Sequence, residues 1–163
     1  MGRCAVWIGG LLCLWLVAAC DQHNAQPEVS LLDESLSVEW AWIRTAPPSS
    51  GVLGGYMQIN NGLEVPLRIT GARSQRFQQI EFHQMTMQAG QMQMRPLSGI
   101  DVAAQSQFHL APGKTHLMLL NPLTPVVRGE RIPVQFDYEL AGGETAQLDV
   151  WFLVRDKGPA DVD

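Results

Sequence analysis

The chain has 163 residues, of which 46% are hydrophobic and 17% are charged, and this composition is typical of one globular domain with an apolar core. Its formal net charge is -5 at pH 7. We do not expect it to bind nucleic acid, because affinity for phosphate backbones depends largely on clustered lysine and arginine.

The first predicted element is an export signal. Arg3 gives a positive start, and the apolar stretch that follows ends in Val17-Ala18-Ala19-Cys20. The stretch is too short for a comfortable membrane-spanning helix, and small residues before a cysteine favour cleavage by a signal peptidase. We predict a lipoprotein signal peptide over residues 1–19. The alternatives are an uncleaved N-terminal anchor and an ordinary signal that is cleaved near Ala19.

This segment resembles the signals of bacterial lipoproteins. The resemblance implies that Cys20 is acylated and that the chain is lipid-anchored at the periplasmic face of the bacterial inner membrane. Asp21, the next residue, is similar to the inner-membrane retention signal of enteric-type bacteria. The cysteines are Cys4, Cys13 and Cys20, so the mature domain has no thiol and no disulfide is available to it. Any soft-metal site must therefore use methionine and histidine.

The mature chain is predicted to be a tether followed by one β domain. Residues 20–36 are polar and unpatterned, which is typical of a tether. Over residues 37–155, short apolar or alternating runs recur between Gly, Pro and Asn turns, and no long stretch has helical periodicity. This pattern predicts a single all-β domain, an antiparallel sandwich or barrel. Residues 156–163 form a short acidic tail. The predicted strands are Val38–Ile43, Gly55–Asn60, Leu67–Ala72, Gln79–Met87, Gln91–Pro96, Phe108–Leu110, Thr115–Leu120, Pro133–Leu140 and Ala146–Val154.

The segment from Glu81 to Pro96 is the densest unusual feature, and it is predicted to be a hairpin with Ala89 and Gly90 in the turn. Met87 then faces Met92 and Met85 faces Met94. Strand alternation places a histidine and four methionines on one face, and they are His83, Met85, Met87, Met92 and Met94.

A second cluster is His116-Leu117-Met118. On a strand, His116 and Met118 point the same way, with Cα atoms roughly 7 Å apart. Two imidazoles and two thioethers are a soft, uncharged donor set that favours Cu(I), whereas Zn²⁺, Ca²⁺ and Mg²⁺ prefer thiolates, more histidine or carboxylates. A blue-copper electron carrier is disfavoured, because that site needs a cysteine thiolate.

Each of these residues also has a purely structural interpretation. A methionine on a strand most often fills the core, and Met85, Met87 and Met92 could be accessory metal ligands, a route of access for the metal, or packing residues. Trp40 and Trp42 alternate with Ala41, which predicts one shared strand face in the core, and core packing is also the expectation for Trp151. Glu81 and Asp101 lack a second carboxylate or base at a known motif spacing, and we predict no enzyme.

Two residues of the hairpin, His83 and Met94, have a characteristic spacing from His116 and Met118. Ten residues separate His83 from Met94 and twenty-one separate Met94 from His116, so the chain reads His-x10-Met-x21-His-x-Met. This motif resembles the signature of the periplasmic PCuAC copper chaperones. Further similarities are Ala41-Trp42-Ile43-Arg44, the Gly55–Asn61 run and Met92-Gln93-Met94-Arg95-Pro96. The resemblance covers roughly Val38–Val154.

The resemblance selects His83, Met94, His116 and Met118 as copper ligands and implies a cupredoxin-like Greek-key β-sandwich or barrel. It also implies a Cu(I)-binding metallochaperone that delivers copper to cytochrome oxidase assembly. The partner would be a copper-accepting oxidase subunit or another copper chaperone. Two alternatives stay open: copper sequestration for tolerance at the same site, and a lipoprotein interaction module whose Met-rich face binds a protein without metal.

Overall fold

The computed structural model describes residues 35–158. The signal peptide, Cys20 with Asp21, most of the tether and the last five residues lie outside the described range. No helix within residues 35–158 is long and apolar enough to cross a bilayer. The ten strands are β1 (Leu36–Arg44), β2 (Val52–Asn61), β3 (Leu67–Arg73), β4 (Phe77–Gln88), β5 (Gln91–Leu97), β6 (Ile100–Val102), β7 (Ser106–Leu110), β8 (Thr115–Pro122), β9 (Arg131–Leu140) and β10 (Thr145–Arg155).

The nine predicted strands are all confirmed, and each is longer than predicted. The tenth, β6, is three residues long and was not predicted. The strands form one hydrogen-bonded sheet in the order β5-β4-β8-β2-β1-β10-β9-β3-β6. The first part of β2 pairs with β8, and its second part pairs with β7. All neighbours are antiparallel except β1 and β10, which run parallel.

The core lies on the inner face of this curved sheet. In β9, buried side chains alternate with more exposed ones, so that Ile132, Val134 and Phe136 point inward. Phe152 of β10 packs against Phe136, with ring centroids 6.2 Å apart. One continuous cluster joins buried side chains from nine of the ten strands. Strand β5 contributes no buried side chain, because all of its side chains are half-buried or exposed. The all-β class that the strand pattern predicts is confirmed.

The expectation for the tryptophans was wrong in two places. A β-bulge in β1 sets Trp40 and Ala41 together opposite Met57, and Trp40 has a positive φ of 53°. Alternation is broken there, so Trp42 is buried while Trp40 is partly exposed. Trp151 is 60% exposed, because its neighbours on β10 take the inward positions.

Candidate metal centre

A tight turn sets the register of the β4–β5 hairpin. Ala89 and Gly90 both have positive φ, 50° and 80°, as the central residues of a two-residue hairpin turn require. The predicted cross-strand pairs are confirmed, with Met85 opposite Met94 and Met87 opposite Met92. His83 lies opposite Pro96, two residues further along the ladder than the Met85–Met94 pair, so Met94 is its diagonal neighbour.

Strand β8 lies on the other side of β4 and completes the cluster. His116 is directly opposite His83 in the β4–β8 ladder, and Met118 is opposite Glu81. The two imidazole rings lie 6.2 Å apart between centroids. Three adjacent strands therefore bring His83, Met94, His116 and Met118 to one region of one sheet face.

A small surface cavity of about 230 Å³ marks this region, and Met94, His116 and Met118 line it together with Gly54 and Tyr56. The donors differ in exposure. His83 and His116 are buried, at 9% and 8% of their full exposure, whereas Met94 is 47% exposed. The imidazoles thus lie inside the domain, whereas the thioether of Met94 reaches the surface, and His83 is not part of the cavity lining.

Hydrogen bonds at one ring nitrogen leave the other nitrogen of each histidine available. His116 Nδ1 lies 3.1 Å from the carbonyl oxygen of Lys114, so Nδ1 donates its proton and Nε2 keeps a lone pair. His83 Nε2 lies 2.6 Å from Glu81 Oε2, and a carboxylate only accepts hydrogen bonds. His83 Nδ1 is buried and has no hydrogen-bond partner. A buried nitrogen without a partner is costly in an apolar setting, and a bound metal ion would satisfy it.

Glu81 is a neighbour of the candidate donors that the sequence reasoning did not place at the site. Its second oxygen, Oε1, accepts a hydrogen bond of 2.7 Å from Gln79 Nε2, so the carboxylate is held between Gln79 and His83. The position of Glu81, two residues before His83 on a strand, was the signal that both side chains share a face. The donor set alone predicted an uncharged site. The carboxylate of Glu81 places a negative charge beside it.

Aromatic side chains form the wall behind His116. Tyr56 lies 6.4 Å from the His116 ring and 4.6 Å from Trp42, and the Arg44 guanidinium lies over both Trp42 and Tyr56. Burial raises the pKa of Tyr56, with Arg44 opposing the shift, so the phenol stays protonated at neutral pH and supplies no anionic ligand. Gly54 makes room for this ring, since a Cβ there would meet Tyr56 Cζ at 2.9 Å.

The remaining methionines of the hairpin lie outside the cavity. Met85 is half-buried opposite Met94, while Met87 and Met92 are 66% and 50% exposed near the turn. Packing in the core does not account for these two side chains. Within residues 35–158, no three side chains of His, Cys, Asp or Glu come together in a way that could hold a metal ion. The cluster that does form combines nitrogen with thioether sulfur, which are soft donors.

Comparison with known proteins identifies relatives in sequence and in fold. Residues 36–150 match the family model LpqE-like, described as "Putative lipoprotein LpqE-like". A protein of Leifsonia xyli subsp. xyli (strain CTCB07), named "Putative lipoprotein Lxx21020", is 27% identical over 118 residues, which cover 72% of this chain and 69% of that protein.

Among solved structures, the copper-bound PCuAC domain from PmoF2 superposes with a TM-score of 0.58 at 19% identity, covering 74% of this chain and 94% of that domain. The solution structure of CuI-DR1885 from Deinococcus radiodurans gives a TM-score of 0.52 at 23% identity, covering 72% of this chain and 76% of the other. These similarities show a shared fold, and they confirm the predicted resemblance to PCuAC domains at that level.

Proposed function

Because the chain belongs to the LpqE-like lipoprotein family and has the fold of PCuAC domains, we propose that it is a lipid-anchored carrier of Cu(I). His83, Met94, His116 and Met118 would hold the ion. The copper-bound state of two solved structures of this fold, PmoF2 and DR1885, supports the choice of metal.

The histidine pair is the observation that carries this proposal. His83 and His116 lie opposite each other on paired strands, and each has one ring nitrogen engaged by a neighbour. Ligating histidines are typically oriented in this way by a carboxylate or a backbone carbonyl. We infer that copper binds Nδ1 of His83 and Nε2 of His116, the two nitrogens that remain.

The thioethers favour release of the ion as well as its binding. Met94 is exposed at the surface and Met118 is half-buried, so an incoming ligand could displace a thioether before it reaches the buried imidazoles. A thiolate-rich partner would bind Cu(I) more tightly than this neutral donor set. We propose that the partner is a copper-accepting oxidase subunit or another copper chaperone, and that transfer occurs at the periplasmic face of the inner membrane, where Cys20 would anchor the chain.

Glu81 would act as a positioning residue in this centre. Replacing Glu81 by alanine frees His83 Nε2, so the ring can rotate or change tautomer, and we expect Cu(I) affinity to fall by about 10- to 100-fold, the usual loss for such partners. Glu81→Gln keeps an acceptor oxygen and should restore part of the affinity. Competition with a chromophoric Cu(I) chelator measures both variants.

Nitrogen-15 NMR of the metal-free protein gives a second measure that is independent of copper. The wild-type and Glu81→Gln proteins should hold the His83 proton on Nε2, whereas Glu81→Ala should show a mixture of tautomers. Asp101→Ala is the matched control, because Asp101 pairs with Arg68 at the far edge of the sheet. If Glu81→Ala leaves both the tautomer and the affinity unchanged, Glu81 does not position His83.

Growth of a strain that lacks the protein separates delivery from its alternatives. If the protein delivers copper, the strain should lose oxidase activity in low copper, and added copper should restore it. Copper sequestration predicts the opposite result, which is normal oxidase activity with sensitivity to excess copper. An interaction module without metal predicts neither phenotype. Delivery is thus contradicted if oxidase activity in low copper equals that of the parent strain.

A further inference from the structure

The methionines of this chain are concentrated in one place. Of the seven in the sequence, Met1 lies outside the described residues and Met57 is buried in the core at 3% exposure. The other five lie on the adjacent strands β4, β5 and β8. Only Met94 and Met118 of these five line the cavity, which leaves Met85, Met87 and Met92 without an assigned role.

These three side chains form a stripe with Met94 on one face of the β4–β5 hairpin. The ladder sets sulfur opposite sulfur twice, since Met85 faces Met94 and Met87 faces Met92. Directly opposed residues have Cβ atoms about 4.5–5.5 Å apart, so flexible thioethers can converge on one ion from both strands. Strand β5 is an edge of the sheet, and the hairpin end is open to solvent.

The chemistry of the hairpin favours a soft monovalent cation. Residues 82–96 contain no acidic side chain that could supply a hard oxygen ligand. On the opposite face, Arg95 Nη2 donates to Gln88 Oε1 at 2.6 Å, so the polar side chains bond with one another away from the stripe. Thioether sulfur selects Cu(I) over Zn²⁺, Ca²⁺ and Mg²⁺.

We propose that Met85, Met87 and Met92 form a second, weaker Cu(I) site at the hairpin end. Met94 joins the two sites, because it lies opposite Met85 and also lines the cavity with His116 and Met118. An ion that is captured at the exposed stripe can reach the histidines by exchange of one thioether at a time. This inference rests on the proposed copper-carrying function and adds a site of capture to it.

Anaerobic titration of the full-length protein in detergent, with Cu(I) held by a chromophoric chelator, tests the proposal. The wild-type protein should bind two equivalents, one tightly and one weakly. Met87→Gln combined with Met92→Gln should lose the weak equivalent and keep the tight one with unchanged affinity. Glutamine is already frequent on these strands and does not increase the exposed apolar surface. Met57→Leu, in the core, is the matched control and should bind both.

The variant His83→Ala with His116→Ala separates this proposal from the proposed function. It should lose the tight equivalent and keep the weak one. In methyl NMR spectra of this variant, Cu(I) should shift the signals of Met85, Met87 and Met92 and leave Met57 unchanged. A wild-type protein that binds a single equivalent, or unshifted hairpin methionines in the histidine variant, would overturn the second site while leaving the first intact. If the wild-type protein binds only the weak equivalent of Cu(I) and not the tight one, the proposed function is refuted instead.

Discussion

Replacing Met94 by leucine together with His116 by alanine is expected to remove high-affinity Cu(I) binding. Each change deletes one of the four donors, and leucine keeps the approximate size and apolar character of methionine without its sulfur. The loss should exceed about 100-fold, the upper end of what removal of an outer partner such as Glu81 costs. Competition with a chromophoric Cu(I) chelator measures the change.

The chain offers a matched control for each of these changes. Met57→Leu alters a methionine in the core. His109→Ala alters an exposed histidine on β7, which pairs with β2 and not with β4, β5 or β8, the strands that carry the proposed ligands. Both variants should retain wild-type copper affinity. Thermal unfolding of the double variant checks that the fold persists, since His116 is buried and its loss removes packing. A folded double variant with unchanged copper affinity would contradict the assigned ligands.

Replacing Cys20 by serine is expected to abolish lipid attachment completely. Lipid attachment at the cysteine of such a signal goes through the cysteine sulfur, and serine has no sulfur to receive the lipid. Cells supplied with a labelled fatty acid should therefore label the wild-type protein and not the Cys20→Ser variant. The mature wild-type chain should begin at Cys20, whereas the variant should keep its signal peptide, because cleavage depends on the modified residue.

Cys13→Ser is the control for this experiment. Cys13 lies within the apolar signal and should tolerate the change without loss of lipid label or cleavage. A wild-type chain that is unlabelled and cleaved near Ala19 would indicate an ordinary export signal. A wild-type chain that is unlabelled and uncleaved would indicate an N-terminal anchor. Either result would contradict lipid anchoring at Cys20.

Local patterns in the sequence were sufficient to predict nine of the ten strands and the register of the β4–β5 hairpin. Alternation and a two-residue turn fix the hairpin because both act over short distances, and the pairs Met85–Met94 and Met87–Met92 follow directly. The pairing of His83 with His116 is different, because it depends on β8 lying beside β4. Periodicity does not determine which distant strands become neighbours, and the four donors were therefore selected by resemblance to a family.

The errors of sequence reasoning have local physical causes. The bulge at Trp40 requires a residue with positive φ, and a tryptophan gives no hint of that conformation. Glu81 was set aside because no motif contains it, although alternation placed it on the face of His83. Its carboxylate brings a negative charge beside donors that are themselves neutral, and this charge would balance the single positive charge of a bound Cu(I) ion.

The candidate donors differ in how far they are exposed to solvent. Two imidazoles are held rigidly inside the domain, one by a carboxylate and one by a backbone carbonyl, while the thioether of Met94 stands at the surface. A carrier needs donors that select the metal and at least one that yields easily to a partner. An electron-transfer protein would instead require ligands that stay in place during reduction and oxidation.

X-ray absorption at the copper edge is the sharpest test of the proposed donors, His83, Met94, His116 and Met118. Full-length protein in detergent is reduced, loaded with less than one equivalent of copper so that the tighter site fills first, and measured without further treatment. The proposed centre predicts Cu(I) with sulfur and imidazole nitrogen scatterers in equal numbers, two of each. A spectrum with nitrogen and oxygen scatterers but no sulfur would contradict it.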